Sequence, residues 1–309
     1  MSEGGRGAVV VVVNPRAGGG RGERIVREAL RAFGRQGIEP QVIVCRNGGE
    51  PGRISRRAME AGARLVVAAG GDGHAAAVAG GLVGTSTPMA VLPCGSANDY
   101  AAALGMPRRD IGAAVALMAA GRTRRVDTLQ VASQDGERLF LNVVGTGFDA
   151  AVAARAEAVP FLRGAGRYVL AILGELPRLS AATISLTLDC ERRELRAMMV
   201  ALANGTSYGG GMRVAPMASL DSGWLEVCVV GEISKVEFLR AFPRVFRGTH
   251  VDHPAVTMWR ARQVEISADR PLRLLGDGEL FGKLPATVGV RPASLSVVVG
   301  TQPGHSAST

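Results

Sequence analysis

The sequence predicts an α/β protein with two domains: an N-terminal doubly wound domain built on a parallel sheet, and a C-terminal β-rich domain of antiparallel, sandwich-like character. Three observations support this prediction. Short apolar runs alternate with helical stretches up to about residue 126, and three of these runs end in glycine-rich turns. Beyond that point, strand-like runs separated by Gly and Asp-Gly turns dominate.

The first domain, residues 1–126, follows βαβ order. The apolar runs that precede the three glycine-rich turns are β-branched and do not alternate with polar residues, as expected of strands buried on both faces. The predicted strands are Val9–Val13, Gln41–Val44, Leu65–Ala69 and Met89–Leu92. The predicted helices are Arg21–Phe33, Arg53–Ala61, Ala75–Gly81, Tyr100–Leu104 and Ile111–Ala120.

The second domain, residues 127–293, is predicted to be largely antiparallel. Its predicted strands are Thr128–Val131, Leu139–Val144, Thr183–Leu188, Leu195–Ala201, Trp224–Val230, Gln263–Ser267 and Leu272–Leu275. Two helices interrupt them, near Tyr168–Leu179 and Lys235–Arg247. A last strand, Ser294–Val299, is expected to return to the first domain, and the polar tail after it is expected to be disordered.

The three glycine-rich turns are Asn14–Gly20, Gly70–His74 and Pro93–Asp99. In a parallel sheet such turns lie at the carboxyl edge of the strands, where ligands bind. Glycine lets backbone N–H groups approach a phosphate closely. Each turn alone is typical of an ordinary strand-to-helix connection, whereas three on one edge favour a nucleotide site.

Composition narrows the function classes. The formal net charge is +9 and is carried almost wholly by arginine, because Lys235 and Lys283 are the only lysines. The P-loop lysine and a protein-kinase lysine are therefore excluded from the first domain, and arginines such as Arg16 or Arg21 would have to meet phosphate charge. Arginine excess favours phosphate or anionic membrane contact, although codon usage explains it equally well. Aromatic residues make up 4% of the chain, with no aromatic platform, so no nucleic acid partner is predicted.

Localisation is predicted to be cytoplasmic. No apolar stretch approaches the roughly 18 residues of a membrane span, and residues 1–7 lack the apolar core of a signal peptide. The four cysteines are far apart without metal-ligand spacing, as in a reducing compartment.

Four acidic residues are candidates for chemistry. Asp99 begins a predicted helix, where a capping role is a strong alternative. Asp72 lies between glycines and would suit a metal or a ribose. Asp277-Gly278 followed by Glu279 is equally a hairpin turn or a catalytic acid pair, in which Asp277 accepts a hydroxyl proton during phosphoryl transfer.

These motifs resemble the catalytic family of diacylglycerol kinases, a lipid kinase group that also includes sphingosine and ceramide kinases. The main motifs are Asn14-Pro15 with its glycine loop, Gly70-Gly71-Asp72-Gly73, Leu92-Pro93-Cys94-Gly95-Ser96-Ala97-Asn98-Asp99 and Asp277-Gly278-Glu279. Supporting motifs are Val126-Asp127, Phe140-Leu141-Asn142, Gly147-Phe148-Asp149, Asn204-Gly205, Gly209-Gly210-Gly211-Met212 and Pro216-x-Ala218. They occur in the family's order over nearly the whole chain.

The resemblance implies an active site in a cleft between the domains, with ATP and Mg²⁺ as cofactors and Asp277 as general base, assisted by Glu279. The residues implied in ATP binding are Asn14, Pro15, Arg16, Ala17, Gly18, Gly19, Gly20, Gly70, Gly71, Asp72, Gly73, His74, Gly95, Ser96, Asn98 and Asp99. The resemblance also implies a structural Mg²⁺ loop at Ser219, Ser222 and Trp224.

The chain departs from the family pattern at four positions. His74 replaces the usual Thr, Ala77 an acid and Ala102 an arginine; these changes put the rate and the phosphate donor in question. Ser222 replaces an Asp of the metal loop, which puts the structural Mg²⁺ in question.

The sequence therefore predicts an ATP-dependent lipid kinase that phosphorylates diacylglycerol and contacts the membrane transiently, with the Lys235–Arg247 helix as one candidate contact. An Asp277→Asn variant is expected to lose turnover while folding and binding ATP. Two alternatives stay open: a soluble-substrate kinase resembling NAD kinase, and a catalytically impaired lipid- or nucleotide-binding protein. The oligomeric state is also open, a homodimer included.

Overall fold

The computed structural model of the chain describes residues 7–20, 22–45, 50–158 and 165–300, with only the backbone for residues 165–169. The chain divides into two compact units. Unit 1 comprises the residues up to Val126 and those from Ala293 onward, and unit 2 comprises Asp127–Pro292. Arg21 and the polar tail beyond Gly300 lie outside the described residues.

Unit 1 contains a parallel sheet with buried central strands and an edge strand, Gln41–Val44, that is largely exposed. Its strands are β1 (Val9–Val13), β2 (Gln41–Val44), β3 (Leu65–Gly70) and β4 (Met89–Pro93). They lie in the order β4-β3-β1-β2, all parallel. Every side chain of β1, β3 and β4 is buried, which explains why these runs are apolar without alternation.

The helices of unit 1 cover this sheet in two groups. They are α1 (Gly22–Arg35), α2 (Glu50–Glu60), α3 (Asp72–Ala79), α4 (Asp99–Ala103) and α5 (Ile111–Ala120). Helix α1 packs with α5, and α2 packs with α3. This arrangement confirms the predicted doubly wound class.

Unit 2 is built mainly from antiparallel strands. These are β5 (Thr123–Ser133), β6 (Gly136–Phe140), β7 (Val143–Gly147), β8 (Ala182–Leu188), β9 (Glu191–Ala203), β10 (Leu225–Gly231), β11 (Val256–Ala261), β12 (Gln263–Ala268), β13 (Arg273–Gly276), β14 (Glu279–Lys283) and β15 (Ala286–Val298). Strands β5 and β15 also extend into unit 1, where Val297 of β15 pairs with Met89.

The long strand β9 organises the layers of unit 2. Its first half pairs with β8, and its second half lies between β7 and β10. Alternate side chains of this second half enter different cores: Val200 and Leu202 join one cluster, while Ala201 and Ala203 join another. Because successive side chains of a strand point to opposite faces, one strand can serve both sandwich layers. The predicted β-rich, antiparallel class is confirmed.

Three helices belong to unit 2. They are α6 (Phe148–Glu157), α7 (Ala165–Glu175) and α8 (Lys235–Ala241). The helices predicted at Tyr168–Leu179 and Lys235–Arg247 both end before a proline, earlier than expected. Helix α7 gives way to a 3-10 turn containing Pro177, and α8 to a 3-10 turn, Phe242–Phe246, containing Pro243. Proline removes a backbone donor and restricts the residue before it, so the α-helical pattern stops there.

Two other boundaries were predicted wrongly. The predicted strand Leu139–Val144 is two strands, β6 and β7, separated by Leu141 and Asn142. The last strand begins at Ala286, eight residues before the predicted start. Among the described residues, no helix is both long and apolar enough to span a bilayer.

Candidate functional site

The glycine turns of unit 1 follow β1, β3 and β4, which are neighbours in the sheet, so all three lie at its carboxyl edge. The second and third turns touch. A Cβ on Gly95 would lie 2.6 Å from the Cα of Gly71, so the two backbones are in direct contact. Only glycine fits at this crossing.

The first turn is held by backbone and side-chain bonds. The N–H of Asn14 donates to the carbonyl of Ala69 (3.0 Å), which ties this turn to β3. The Oδ1 atom of Asn14 accepts a bond from the N–H of Arg16 (3.0 Å). Gly18 and Gly19 have φ angles of 62° and 65°, a region that glycine adopts readily. The turn therefore needs its glycines for its backbone conformation.

Asp72 connects the second turn to helix α4. Its carboxylate accepts bonds from the N–H groups of Asp99 (3.2 Å) and Tyr100 (2.9 Å), the first residues of α4. Burial, together with the nearby Asp99 carboxylate, raises the pKa of the Asp72 carboxyl above its usual value. Asp72 thus acts as the N-terminal anchor of α4 from a distant position in the sequence, whereas Asp99 is the first residue of that helix and not its cap.

Asn98 closes the third turn on itself. Its Oδ1 accepts from the N–H of Gly95 (2.8 Å) and its Nδ2 donates to the carbonyl of the same residue (2.9 Å). Asn98 is buried and left-handed, with φ 57°. Ser96 and Arg16, two of the predicted ATP-binding residues, are exposed.

His74 lies inside unit 1 and bonds to β1. Its Nε2 is 2.9 Å from the carbonyl oxygen of Val12, and its ring covers Gly70, where a Cβ would lie 2.5 Å from the imidazole. Burial lowers the pKa of His74 below its usual value, so the ring is neutral near pH 7 and Nε2–H is the donor. The residue that departs from the family pattern is therefore a buried, neutral packing residue next to the glycine turns rather than a cation among them.

In unit 2, Asp277 and Gly278 form the two-residue turn between β13 and β14. Both have positive φ, 45° and 84°, as a type I′ hairpin requires. The Asp277 side chain is nevertheless buried: Oδ2 accepts from the N–H of Leu141 (2.7 Å), and Oδ1 from those of Asn142 (3.0 Å) and Val143 (3.1 Å). The predicted hairpin is therefore present, the catalytic role stays a prediction, and the carboxylate bridges the gap between β6 and β7. Glu279 is exposed.

Two buried asparagines surround this carboxylate site. Asn204 donates from Nδ2 to the carbonyls of Leu141 (2.8 Å) and Asp127 (3.1 Å), and Asn142 donates to the carbonyl of Ser207 (2.5 Å). Asn204 lies in an Asn-Gly pair, a sequence that favours a turn, yet its side chain is fully buried and joins three segments. The Asn-Gly pair gave a turn signal that hid this role.

The loop predicted to hold a structural Mg²⁺ is internally bonded. The hydroxyl of Ser219 donates to Asp221 (2.5 Å), that of Ser222 donates to the carbonyl of Trp224 (3.2 Å), and the N–H of Gly223 donates to Asp127 (2.6 Å). In the parts of the chain that the structure describes, no group of three or more His, Cys, Asp or Glu side chains could hold a metal. The three residues thus bond within their own loop, and a Mg²⁺ site at Ser219, Ser222 and Trp224 stays a prediction.

Asp149, at the start of α6, is a second enclosed acid in unit 2. Its Oδ2 accepts from the hydroxyl of Tyr208 (3.1 Å), and its Oδ1 from the N–H of Ala150 (2.7 Å). A Cβ on Gly145 would lie 2.0 Å from Oδ2, so the acid rests directly on β7. Burial raises the pKa of Asp149 from 3.8 to about 6, although both hydrogen bonds oppose the rise.

This shift predicts a pH-dependent stability. Between pH 3.8 and about 6 the folded state holds a proton that the unfolded state has lost, so stability falls as pH rises through this window. The loss is on the order of 3 kcal/mol, at about 1.4 kcal/mol for each unit of pKa. Urea unfolding between pH 4 and pH 7.5 should show a fall in the wild type that is larger, by about this amount, than the fall in Asp149→Asn. The exposed Asp135→Asn variant is the control and should follow the wild type; equal falls in Asp149→Asn and the wild type would contradict the prediction.

Two different family models match the N-terminal and C-terminal parts of the chain. Residues 8–131 match a family model described as the diacylglycerol kinase catalytic domain. Residues 142–299 match one described as the YegS C-terminal NAD kinase beta sandwich-like domain. A protein named "Diacylglycerol kinase" from Mycobacterium tuberculosis (strain ATCC 25618 / H37Rv) is 30% identical over 294 residues, covering 94% of this chain and 95% of the relative.

Two further similarities point the same way. A "Diacylglycerol kinase" of Bacillus subtilis (strain 168) is 28% identical over 280 residues, covering 89% of this chain and 90% of the relative. A crystal structure of a diacylglycerol kinase from Bacillus anthracis str. Sterne superimposes with a TM-score of 0.70 at 18% identity, covering 95% of this chain and 97% of that one. The structural match shows the fold, and the sequence matches show the family.

Proposed function

This chain belongs to the family of diacylglycerol kinase-like and YegS-like lipid kinases, and from that premise we propose that it transfers the γ-phosphoryl group of ATP to a lipid hydroxyl. Diacylglycerol is the proposed acceptor and phosphatidic acid the product. The proposal places the protein in phospholipid metabolism at a membrane surface.

One observation supports the nucleotide half of this proposal above the others: the backbone crossing of Gly71 and Gly95 at the carboxyl edge of the sheet. A Cβ at Gly95 would fill this crossing, and the neighbouring turn of Gly18 and Gly19 adds further small residues at the same edge. Glycine-lined turns with exposed N–H groups suit the phosphates of ATP. ATP supplies the phosphoryl group, and in this proposal the three turns hold it.

Asp277 is the proposed acceptor of the lipid hydroxyl proton. Its three backbone bonds hold the carboxylate in one orientation, so its acceptor atoms do not have to be ordered when substrate arrives. Phosphoryl transfer passes through a loose transition state that asks little of a base, so an ordinary carboxylate is sufficient. The exposed Glu279 is assigned a secondary role.

Magnesium accompanies ATP in this proposal and would neutralise charge on the phosphates. The internally bonded loop at Ser219 and Ser222 is given no part in catalysis. In this proposal the three glycine turns bind ATP, and Asp277 accepts the proton of the lipid hydroxyl.

The proposal is tested by incubating the purified protein with γ-labelled ATP, Mg²⁺ and mixed micelles that contain diacylglycerol, ceramide or sphingosine, beside a reaction with NAD. We expect label in phosphatidic acid only. Label in ceramide phosphate or sphingosine phosphate would change the substrate, and label in NADP would replace the proposal by a soluble-substrate kinase. ATP binding without any labelled product would replace it by a binding protein.

A further inference from the structure

Most of the exposed large apolar side chains among the described residues lie on the helices of unit 2 and the turn after α8. Among the described residues eight large apolar side chains are exposed, and five of them lie on α7, α8 and the 3-10 turn that follows α8. Each exposes 43–58% of its surface. These five residues, here called the helical face, are Leu170, Leu173, Val236, Leu239 and Phe246.

The contacts of α8 and of the turn after it show how far their apolar side chains pack on the core of unit 2. Helix α8 and the turn after it contain no buried residue. Phe238 is partly buried, and its ring lies 4.9 Å from that of Phe148 in a small cluster to which α7 also contributes. From there a ladder of rings leads outward through Phe242 (5.7 Å) to the half-exposed Phe246 (6.0 Å). One side of α8 is thus anchored, and Val236 and Leu239 are left on the surface.

Positive charge accompanies the exposed apolar groups. The segment from Lys235 to Arg247 has four basic residues and one acid, Glu237, whose carboxylate lies 3.4 Å from the imidazole of His253. Arg240 and Arg247 are exposed, and Lys235 donates to the carbonyl of Pro177 at the end of α7. A surface that combines exposed Val, Leu and Phe with unbalanced Lys and Arg matches the interface of an anionic bilayer, which offers apolar chains below negative headgroups.

We propose that the helical face, with Arg240 and Arg247 at its border, is the surface by which this protein docks on an anionic lipid bilayer. The inference rests on the proposed function, because a lipid substrate is reached only from the membrane. Val236, Leu239 and Phe246 enter the headgroup region, and the arginines contact lipid phosphates. The partly buried Phe238 and the ring ladder keep α8 attached to unit 2 while its outer side is in lipid.

The test measures cosedimentation with vesicles in the absence of ATP. Vesicles of phosphatidylglycerol and phosphatidylcholine are compared with vesicles of phosphatidylcholine alone. We expect the wild type to partition onto the anionic vesicles, and the variant Val236→Ser, Leu239→Ser, Phe246→Ser to partition at least tenfold less. Val42→Ser, Val44→Ser, which changes exposed valines of β2, is the matched control and should bind as the wild type does.

The charge contribution is tested separately. Arg240→Gln, Arg247→Gln should reduce partitioning to anionic vesicles and remove most of its dependence on salt, whereas Arg56→Gln, Arg57→Gln on α2 should leave both unchanged. Because the ring of Phe246 contacts that of Phe242 edge to face, circular dichroism is used to check that the triple variant is folded. The double variant Val236→Ser, Leu239→Ser repeats the vesicle test without changing the ring ladder.

Three results would overturn the proposal. These are equal partitioning of the helical-face variants and the wild type, no binding of the wild type to either vesicle, and a change from dimer to monomer in the variants with vesicle binding unaltered. The last result would assign the face to a second copy of the chain. Since partitioning is measured without ATP, vesicle binding without phosphorylation of any lipid would refute the proposed function and leave this surface standing.

Discussion

Replacing Asp277 by alanine is expected to unfold unit 2 or bring it close to unfolding. Three buried N–H groups, on Leu141, Asn142 and Val143, lose their acceptor. Each unsatisfied buried group costs about 1–3 kcal/mol, so the sum of roughly 3–9 kcal/mol approaches the stability of an ordinary domain. Chemical unfolding monitored by circular dichroism measures the loss.

Asparagine at the same position gives a sharper experiment. Asn is favoured in a type I′ turn, so the backbone at positions 277 and 278 is retained. Its single acceptor oxygen, however, replaces two, and its amide would face N–H donors. We expect a loss of about 1–3 kcal/mol for each N–H left unbonded. This revises the expectation from sequence that Asp277→Asn folds normally.

Glu279→Gln is the matched control, two residues away in the same hairpin. Glu279 is exposed, so its replacement should change stability by less than about 0.5 kcal/mol. Equal stability of Asp277→Asn and the wild type would contradict the bridging role. Activity of Asp277 variants should be expressed per folded molecule, because otherwise lost structure would be mistaken for a lost base.

The parts of the site that sequence could predict are those with local signals. Glycine turns after buried strands, the Asp-Gly hairpin and the alternation of strands and helices all depend on neighbouring residues, and the structure contains each of them. The prolines that end α7 and α8 were also visible in the sequence, and extending both helices past them ignored a local signal. Helix α6 had little signal, since its Ala-rich sequence has almost no periodicity.

The partners of the buried acids could not be predicted in this way. The Asp277 carboxylate bonds to residues about 135 positions earlier, Asp72 bonds to α4 27 positions later, and His74 bonds to Val12 62 positions earlier. These hydrogen-bond partners come together only when the sheets form, so no spacing of residues in the sequence predicts them. From the sequence alone, such an acid could either bind a ligand or hold distant backbone N–H groups, and only the folded structure distinguishes the two roles.

Gly95→Ala is expected to cause the largest loss of nucleotide binding available from a single methyl group. The added Cβ would lie 2.6 Å from the Cα of Gly71 and 2.8 Å from the Oδ1 of Asn98. Neither can yield easily, because the first is backbone and the second is held by two bonds to Gly95 itself. The second and third turns must therefore move apart.

The expected result is a fall in ATP affinity of at least tenfold, about 1.4 kcal/mol, together with a loss of stability from overpacking of about 1–3 kcal/mol. Calorimetric titration and urea unfolding measure the two effects separately. Gly34→Ala is the control: a Cβ there meets nothing within 4 Å, and in α1 alanine should bind ATP normally and gain up to about 1 kcal/mol of stability. Wild-type ATP affinity in Gly95→Ala would show that the nucleotide does not depend on this crossing, and the assignment of the three turns to ATP would then fail while the fold and the bilayer surface would be unaffected.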